Sequence, residues 1–312
     1  WFKQFVEVRD AQAGERAIVS ALQAGADDKQ IADMLFSAAT DHRYLDAGHT
    51  LDFINKALES VDIAGWDYAE LAFTSVVPNL TNSQRMEESN AWRKPIDLID
   101  ILEATFSQLD AAITEGKGKS GSFNVDEIVP ILLSDDPQAI VDKLLSLLRA
   151  GMTPADLAGI VAYAAARRIA HFHTSNEFGD WDTAMHTFTF ANAVHQGLQR
   201  IDSIDLLRGV FDAAMSVYLD QFEDMLNLQQ QVNQAGTLVA KYLISGGSPE
   251  TLMAKMGHLL LREDRNFHTL QCIEACFNQY SIISKTSQEH ANHVLIAGAR
   301  YLAAHAPTMR SQ

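Results

Sequence analysis

Cysteine is almost absent from the sequence. Cys272 and Cys276 are the two that occur in 312 residues, and they stand four positions apart on one predicted helical face. Two thiols are too few for a disulfide framework, a zinc ribbon or an iron–sulfur cluster. We therefore expect a reducing compartment, in which both side chains act as small buried apolar groups.

Long apolar runs and an excess of basic residues are also missing. The longest apolar stretch, Leu157–Ala166, is about half as long as a membrane-spanning helix requires. Lys and Arg number 24 against 40 Asp and Glu, so the formal net charge is −16. Since nucleic acid binds to basic surfaces, we predict that the protein binds neither membranes nor nucleic acid.

The N-terminal residues favour a cytoplasmic location. Trp1–Phe5 lacks the charged region and the cleavage site of a signal peptide. Because the first residue is not methionine, we expect a trimmed chain or a piece of a longer one. Hydrophobic residues make up 47% and charged residues 21% of the sequence, values that are typical of globular proteins.

The alternation of apolar and polar residues that marks β-strands is not found, and helical spacing dominates instead. Thr153-Pro154 and Ser248-Pro249 each supply a helix N-cap followed by proline at the first helical position. The fold class is therefore predicted to be all-α. Helices are expected over residues 4–24, 29–60, 68–76, 95–115, 137–150, 154–173, 183–200, 203–228, 235–244, 249–284 and 287–305.

One helical unit recurs three times along the chain. Each copy closes a helix at a glycine, opens another within about four residues, and then carries a His-Thr motif followed by similar apolar and polar positions. The shared histidines are His49, His186 and His268. We predict one all-helical domain over 1–312, a large helical bundle of three diverged repeats with approximate internal symmetry. The repeats cover about 4–115, 137–228 and 235–305, and 116–122 is a flexible linker.

The first copy places three potential metal ligands in one stripe. His42, Asp46 and His49 are spaced i, i+4 and i+7, which puts them on one face of a continuous helix. Gly48 lowers helix propensity and suggests that another group approaches the backbone there. Exposed charges could produce the same spacing, but the stripe continues into Phe53, which favours a buried face.

The other copies repeat a pairing of acid and imidazole. His173 and Glu177 are four residues apart, as are Asp264 and His268, and Asp182 precedes His186 by the same interval. Each acid is a direct ligand or an outer acceptor that orients the imidazole, and a charge pair on a solvated helix is the alternative. The candidate metal ligands are His42, Asp46, His49, His173, Glu177, His186, Asp264 and His268.

This set of imidazoles and carboxylates favours iron, with manganese and zinc as alternatives. Buried groups of this kind are costly unless they are paired or bound to metal. Eight ligands exceed the needs of one ion, so a dinuclear iron site is expected, as in carboxylate-bridged helical bundles. The Glu-x-x-His pairs of ferritin-like proteins are missing, and histidines packed between helices remain the alternative.

Four segments resemble a helical domain of bacterial Rieske [2Fe–2S] fusion proteins: DHRYLD at 41–46, HTSNEF at 173–178, VYLDQF at 217–222 and LRED at 261–264. More distantly, the all-helical architecture with histidine-bearing repeats is similar to questin-oxidase-like non-haem iron oxygenases. The resemblance implies oxidoreductase chemistry and an electron-donor protein such as a Rieske or ferredoxin component. A Rieske centre needs Cys-His pairs, and Cys272 and Cys276 are followed by other residues.

The leading functional hypothesis is therefore a non-haem, di-iron oxidoreductase or oxygenase that acts on a small organic substrate. A zinc-dependent hydrolase is the second hypothesis, since a bound ion also activates water. A non-catalytic helical repeat scaffold is the third. Metal identity separates the first two, and absence of metal indicates the third.

Overall fold

The computed structural model describes residues 1–172, 178–220, 230–262 and 266–305. In these residues it contains sixteen α-helices and no β-strand, which confirms the all-α prediction. None of the described helices is long and apolar enough to cross a membrane. The helices are α1 (Phe2–Glu7), α2 (Ala11–Gln23), α3 (Asp28–Ala39), α4 (His49–Ala64), α5 (Ala69–Asn82), α6 (Leu98–Phe106), α7 (Leu109–Gly116), α8 (Val125–Leu132), α9 (Pro137–Arg149), α10 (Pro154–His171), α11 (Phe178–Arg200), α12 (Ile204–Leu219), α13 (Gln230–Ile244), α14 (Pro249–Arg262), α15 (Phe267–Ile283) and α16 (Gln288–Ala304).

The chain divides into two units. The first comprises residues 1–161 and 190–216, and the second comprises 162–189 and 217–312. Helix α11 is continuous, and its residues from 190 onward belong to the first unit. The three repeats with internal symmetry stay a prediction.

The two predicted proline starts are confirmed. The hydroxyl of Thr153 accepts a hydrogen bond from the amide of Asp156 at 3.1 Å, at the start of α10. The hydroxyl of Ser248 accepts one from the amide of Thr251 at 3.1 Å, at the start of α14. Each cap satisfies an amide that has no partner within its own helix.

Several predicted helices are interrupted. The predicted helix over 4–24 is two helices, because Arg9 adopts a φ of 59° and Asp10 caps α2 through the amide of Ala13. The predicted helix over 95–115 breaks between α6 and α7, and the one over 249–284 breaks between α14 and α15. Helix α8 lies where no helix is expected from the sequence, and it contains Pro130.

The core of the second unit is formed by α13 to α16. Its buried side chains include Leu243, Met256, Ile273 and Leu295, one from each helix. Cys272 and Cys276 are both buried with free thiols, which confirms the prediction that they pack as small apolar groups.

A buried ion pair crosses the core of the first unit. Nη1 of Arg43 lies 3.1 Å from a carboxylate oxygen of Asp212, and Arg43 also donates to the carbonyl of Thr40 and covers the ring of Phe106. Burial raises the pKa of Asp212 to about 6, although the Arg43 charge acts in the opposite direction. The effect of burial on this pKa therefore outweighs the attraction of Arg43, as expected where two charges are taken out of water.

We expect Asp212→Ala to lower the free energy of unfolding by about 3–5 kcal/mol, because it leaves the buried Arg43 charge uncompensated. Arg43→Met combined with Asp212→Leu removes both charges and should cost less than the single change. Asp62→Ala, which removes an exposed partner of Arg200, serves as control and should cost about 0–1 kcal/mol. Urea unfolding measures all three, and equal losses for Asp212→Ala and Asp62→Ala would contradict the expectation.

Candidate metal centre

No α-helix continues through the segment before His49, so the predicted stacking of His42, Asp46 and His49 on one helix face is wrong. Helix α3 ends at Ala39 and α4 begins at His49. Between them, Tyr44, Asp46, Ala47 and Gly48 all have positive φ angles. Residues in the left-handed region cannot continue a right-handed helix.

Gly48 allows a close approach between α4 and α11. A Cβ atom on Gly48 would lie 2.8 Å from Cβ of Phe190 and 3.0 Å from the ring of Tyr44. The rings of Tyr44 and Phe190 meet edge to face, with centroids 4.9 Å apart. The backbone approach expected at Gly48 is therefore present, and it holds the first turn of α4, with His49, against α11.

The other two shared histidines lie on α11 and α15. His186 precedes Phe190 by four residues on α11, which places it on the same helix face. His268 lies in the first turn of α15, where Asn266 caps the helix by accepting from the amide of Thr269 at 3.1 Å. The rings of His186 and His268 are in edge-to-face contact, with centroids 4.9 Å apart.

One nitrogen from each of His49, His186 and His268 lies within 4.8 Å of the other two. The three side chains are partly buried. No carboxylate or thiolate belongs to this three-histidine group in the described part of the chain. A group of this kind could bind a metal ion, because the neutral imidazole is the commonest metal ligand among side chains.

The electrostatic surroundings favour the neutral imidazole at His268. Burial lowers the pKa of this ring, and His305 acts in the same direction, while Asp182 opposes them. Asp182 accepts from the hydroxyl of Tyr301 at 2.8 Å and lies 3.1 Å from Nε2 of His305. Burial raises the pKa of Asp182, but these hydrogen bonds outweigh it, and the net shift is downward. Asp182 is therefore held by α16 as a carboxylate.

The remaining candidate ligands are placed differently. Nδ1 of His42 lies 2.7 Å from Glu87, and its Nε2 lies 2.9 Å from Glu7, so both ring nitrogens face carboxylates. Asp46 is exposed, and its amide donates to the carbonyl of Gln84. Neither residue belongs to the three-histidine group. The other candidates lie outside the described residues, namely His173, Glu177 and Asp264.

Aromatic rings accompany two of the three imidazoles. Phe53 lies one turn after His49 on α4, with ring centroids 5.9 Å apart, and the ring of Phe267 is 4.0 Å from that of His268. Phe53 also lines a groove of about 420 Å³ between α4 and α5, together with Tyr68, Leu71 and other residues. Sequence reasoning missed Phe267, although it directly precedes the shared histidine.

Comparisons of the chain with models of known families, with curated proteins and with solved structures found no match.

We expect Gly48→Ala to destabilise the protein more than Gly25→Ala does. Both glycines have left-handed φ angles, of 92° and 86°, so alanine costs about 1–2 kcal/mol at each. A new Cβ atom meets nothing within 4 Å at Gly25 but would overlap Phe190 at Gly48, which adds about 1–3 kcal/mol. Denaturant unfolding measures the difference, and equal losses would show that the close approach is unimportant.

Proposed function

We propose that the protein binds one iron(II) ion through the three-histidine group and uses it, with dioxygen, to oxidise a small organic substrate. The observation that supports this proposal is the convergence of His49, His186 and His268, whose ligand nitrogens lie within 4.8 Å of one another. Each residue comes from a different copy of the His-Thr motif.

The donor set favours a divalent first-row metal. Imidazole suits iron, zinc, copper and nickel, whereas copper(I) and structural zinc prefer thiolate ligands. Cys272 and Cys276 do not belong to the three-histidine group. Three protein ligands leave positions open on the ion, as a catalytic site requires. When bound, iron(II) would supply the means of activating dioxygen.

The described residues beside the three-histidine group favour oxidation over hydrolysis. Many hydrolytic metal sites place a general base beside the metal-bound water. Asp182, the described carboxylate nearest in sequence to His186, is engaged by Tyr301 and His305. Phe53 and the half-exposed Phe267 instead place apolar rings beside the imidazoles, where they can contact a small organic substrate.

One ion is the simplest occupancy for three ligands. A second iron would need bridging carboxylates, and the candidates Glu177 and Asp264 lie outside the described residues. If one oxygen atom enters the substrate and the other leaves as water, the reaction consumes two further electrons. An electron-donor protein such as a Rieske or ferredoxin component would supply them, as the sequence resemblance implies.

Metal loading tests the proposal directly. The chain is stripped with a chelator and reloaded with iron(II) without oxygen, and bound metal is measured by elemental analysis. We expect about one iron per chain and an affinity at least about tenfold weaker in His49→Ala, His186→Ala and His268→Ala, because each change removes one ligand. His258→Ala, an exposed histidine on α14, is the matched control and should load normally.

Two outcomes would contradict the proposal. Normal loading in all three ligand variants would show that the group does not hold the metal. Retention of zinc in place of iron, without oxygen consumption in the presence of a reductant, would favour the hydrolase instead.

A further inference from the structure

A second cluster of histidines, separate from the three-histidine group, lies between α10 and α16 in the second unit. Nη1 of Arg167 lies 2.9 Å from Nδ1 of His293, and its Nη2 lies 2.8 Å from Nε2 of His171. The hydroxyl of Tyr163 lies 2.8 Å from the same nitrogen of His293. The ring of His290 packs on Tyr163, with centroids 4.9 Å apart. One guanidinium thus bridges two imidazoles.

Arg167 has an unusual set of partners for a chain with a net charge of −16. Arginine normally pairs with carboxylates, which match its planar fork of donors. Within the described ranges, the hydrogen bonds of Arg167 go to Tyr163, His171 and His293, and it forms no ion pair with a carboxylate. Its positive charge is therefore not neutralised by these contacts.

A second arginine adds to this positive charge. Arg300 is 8% exposed and donates to the side-chain oxygen of Asn233 and to the carbonyl of Phe172, both of which are uncharged. Burial lowers the pKa of Arg300. Two arginines in the same unit thus have only neutral hydrogen-bond acceptors among the described residues.

The pKa values of two imidazoles are lowered in this positive environment. The pKa of His293 is lowered to about 4, mainly by burial and then by the charges of Arg167, His290 and His171, while Glu289 opposes them. Burial also lowers the pKa of His171, followed by the charges of Arg167, Arg300 and Arg168. At neutral pH the ring of His293 is therefore uncharged, and its Nδ1 can accept from Arg167.

We propose that Arg167, His171 and His293 form a binding site for a small oxyanion, a carboxylate or a phosphate. The anion accepts two hydrogen bonds from the guanidinium in place of the two imidazole nitrogens. The imidazole of His293, released in this way, takes up a proton from solvent and donates a hydrogen bond to the anion. His171 is exposed, so the ligand can reach the cluster from solution.

Uptake of a proton when the anion binds would distinguish this site from nonspecific attraction of anions to positive surface charge. Burial and the charge of Arg167 keep the imidazole of His293 neutral, and a bound anion offsets the arginine charge, so binding and protonation of His293 favour each other. Binding should therefore be stronger at about pH 6 than at about pH 8, over the range in which an imidazole can be protonated. Other titratable or charged side chains also interact with His171 or His293 through their charge or a hydrogen bond: Glu289, His290, Arg168, Arg300 and Tyr163.

Titration calorimetry on the whole chain tests the proposal, with inorganic phosphate and succinate as separate probes. Each probe is titrated in two buffers that differ in ionisation enthalpy, so that proton uptake is measured with affinity. We expect saturable binding of at least one probe with uptake of protons. Arg167→Gln should weaken it by about tenfold or more, because a charge-assisted bidentate contact is lost.

Arg149→Gln is the matched control, since it removes the same charge from a half-exposed arginine of α9 that pairs with Glu115. It should leave binding unchanged. His171→Gln changes an exposed side chain that contacts Arg167 and should reduce affinity, which keeps the test decisive if Arg167→Gln unfolds. Circular dichroism confirms folding of each variant.

The two probes distinguish the possible ligands. Binding of phosphate alone indicates a phosphorylated ligand, and binding of succinate alone indicates a carboxylate. No saturable binding by the folded chain up to about 20 mM, which is weaker than a specific site would give, would overturn the proposal. Equal weakening in Arg149→Gln and Arg167→Gln would also overturn it. His49→Ala should bind both probes normally, so this test is independent of the metal.

Discussion

The contact between Gly48 and Phe190 holds the first turn of α4 against α11. His49 follows the glycine directly, so the position of its imidazole depends on this contact. A side chain at residue 48 would separate the two backbones, since a Cβ atom there would lie 2.8 Å from Cβ of Phe190. The positive φ of Gly48 also turns the chain so that α4 starts at His49.

The histidines of this protein lie in three kinds of environment, which differ in the groups that surround the imidazole ring. His42 lies between two carboxylates and is held as part of the first unit's packing. His293 lies beside a guanidinium that disfavours its charged form. The rings of His186 and His268 are in contact, and one nitrogen of each lies within 4.8 Å of a nitrogen of His49. Burial favours the neutral ring at His268, which is the form that a metal ion can bind.

The fold class and the three shared histidines could be predicted from the sequence, because helical spacing and a recurring motif are local signals. The break between α3 and α4 could not. Tyr44, Asp46 and Ala47 adopt left-handed angles that their residue types do not favour. Distant contacts hold them, since the amide of Asp46 donates to the carbonyl of Gln84 and the amide of Met86 donates to the carbonyl of Arg43. Because His42 and Asp46 lie between α3 and α4, their four-residue spacing does not place them on one face of an α-helix.

Anomalous diffraction from crystals of the iron-loaded protein, recorded at the iron absorption edge, tests the central claim most directly. We expect one peak with a nitrogen of His49, His186 and His268 each about 2.0–2.2 Å from it, a normal length for a bond between imidazole and a divalent metal. A peak bound by other side chains, or no peak among these three rings in protein shown to contain iron, would contradict it.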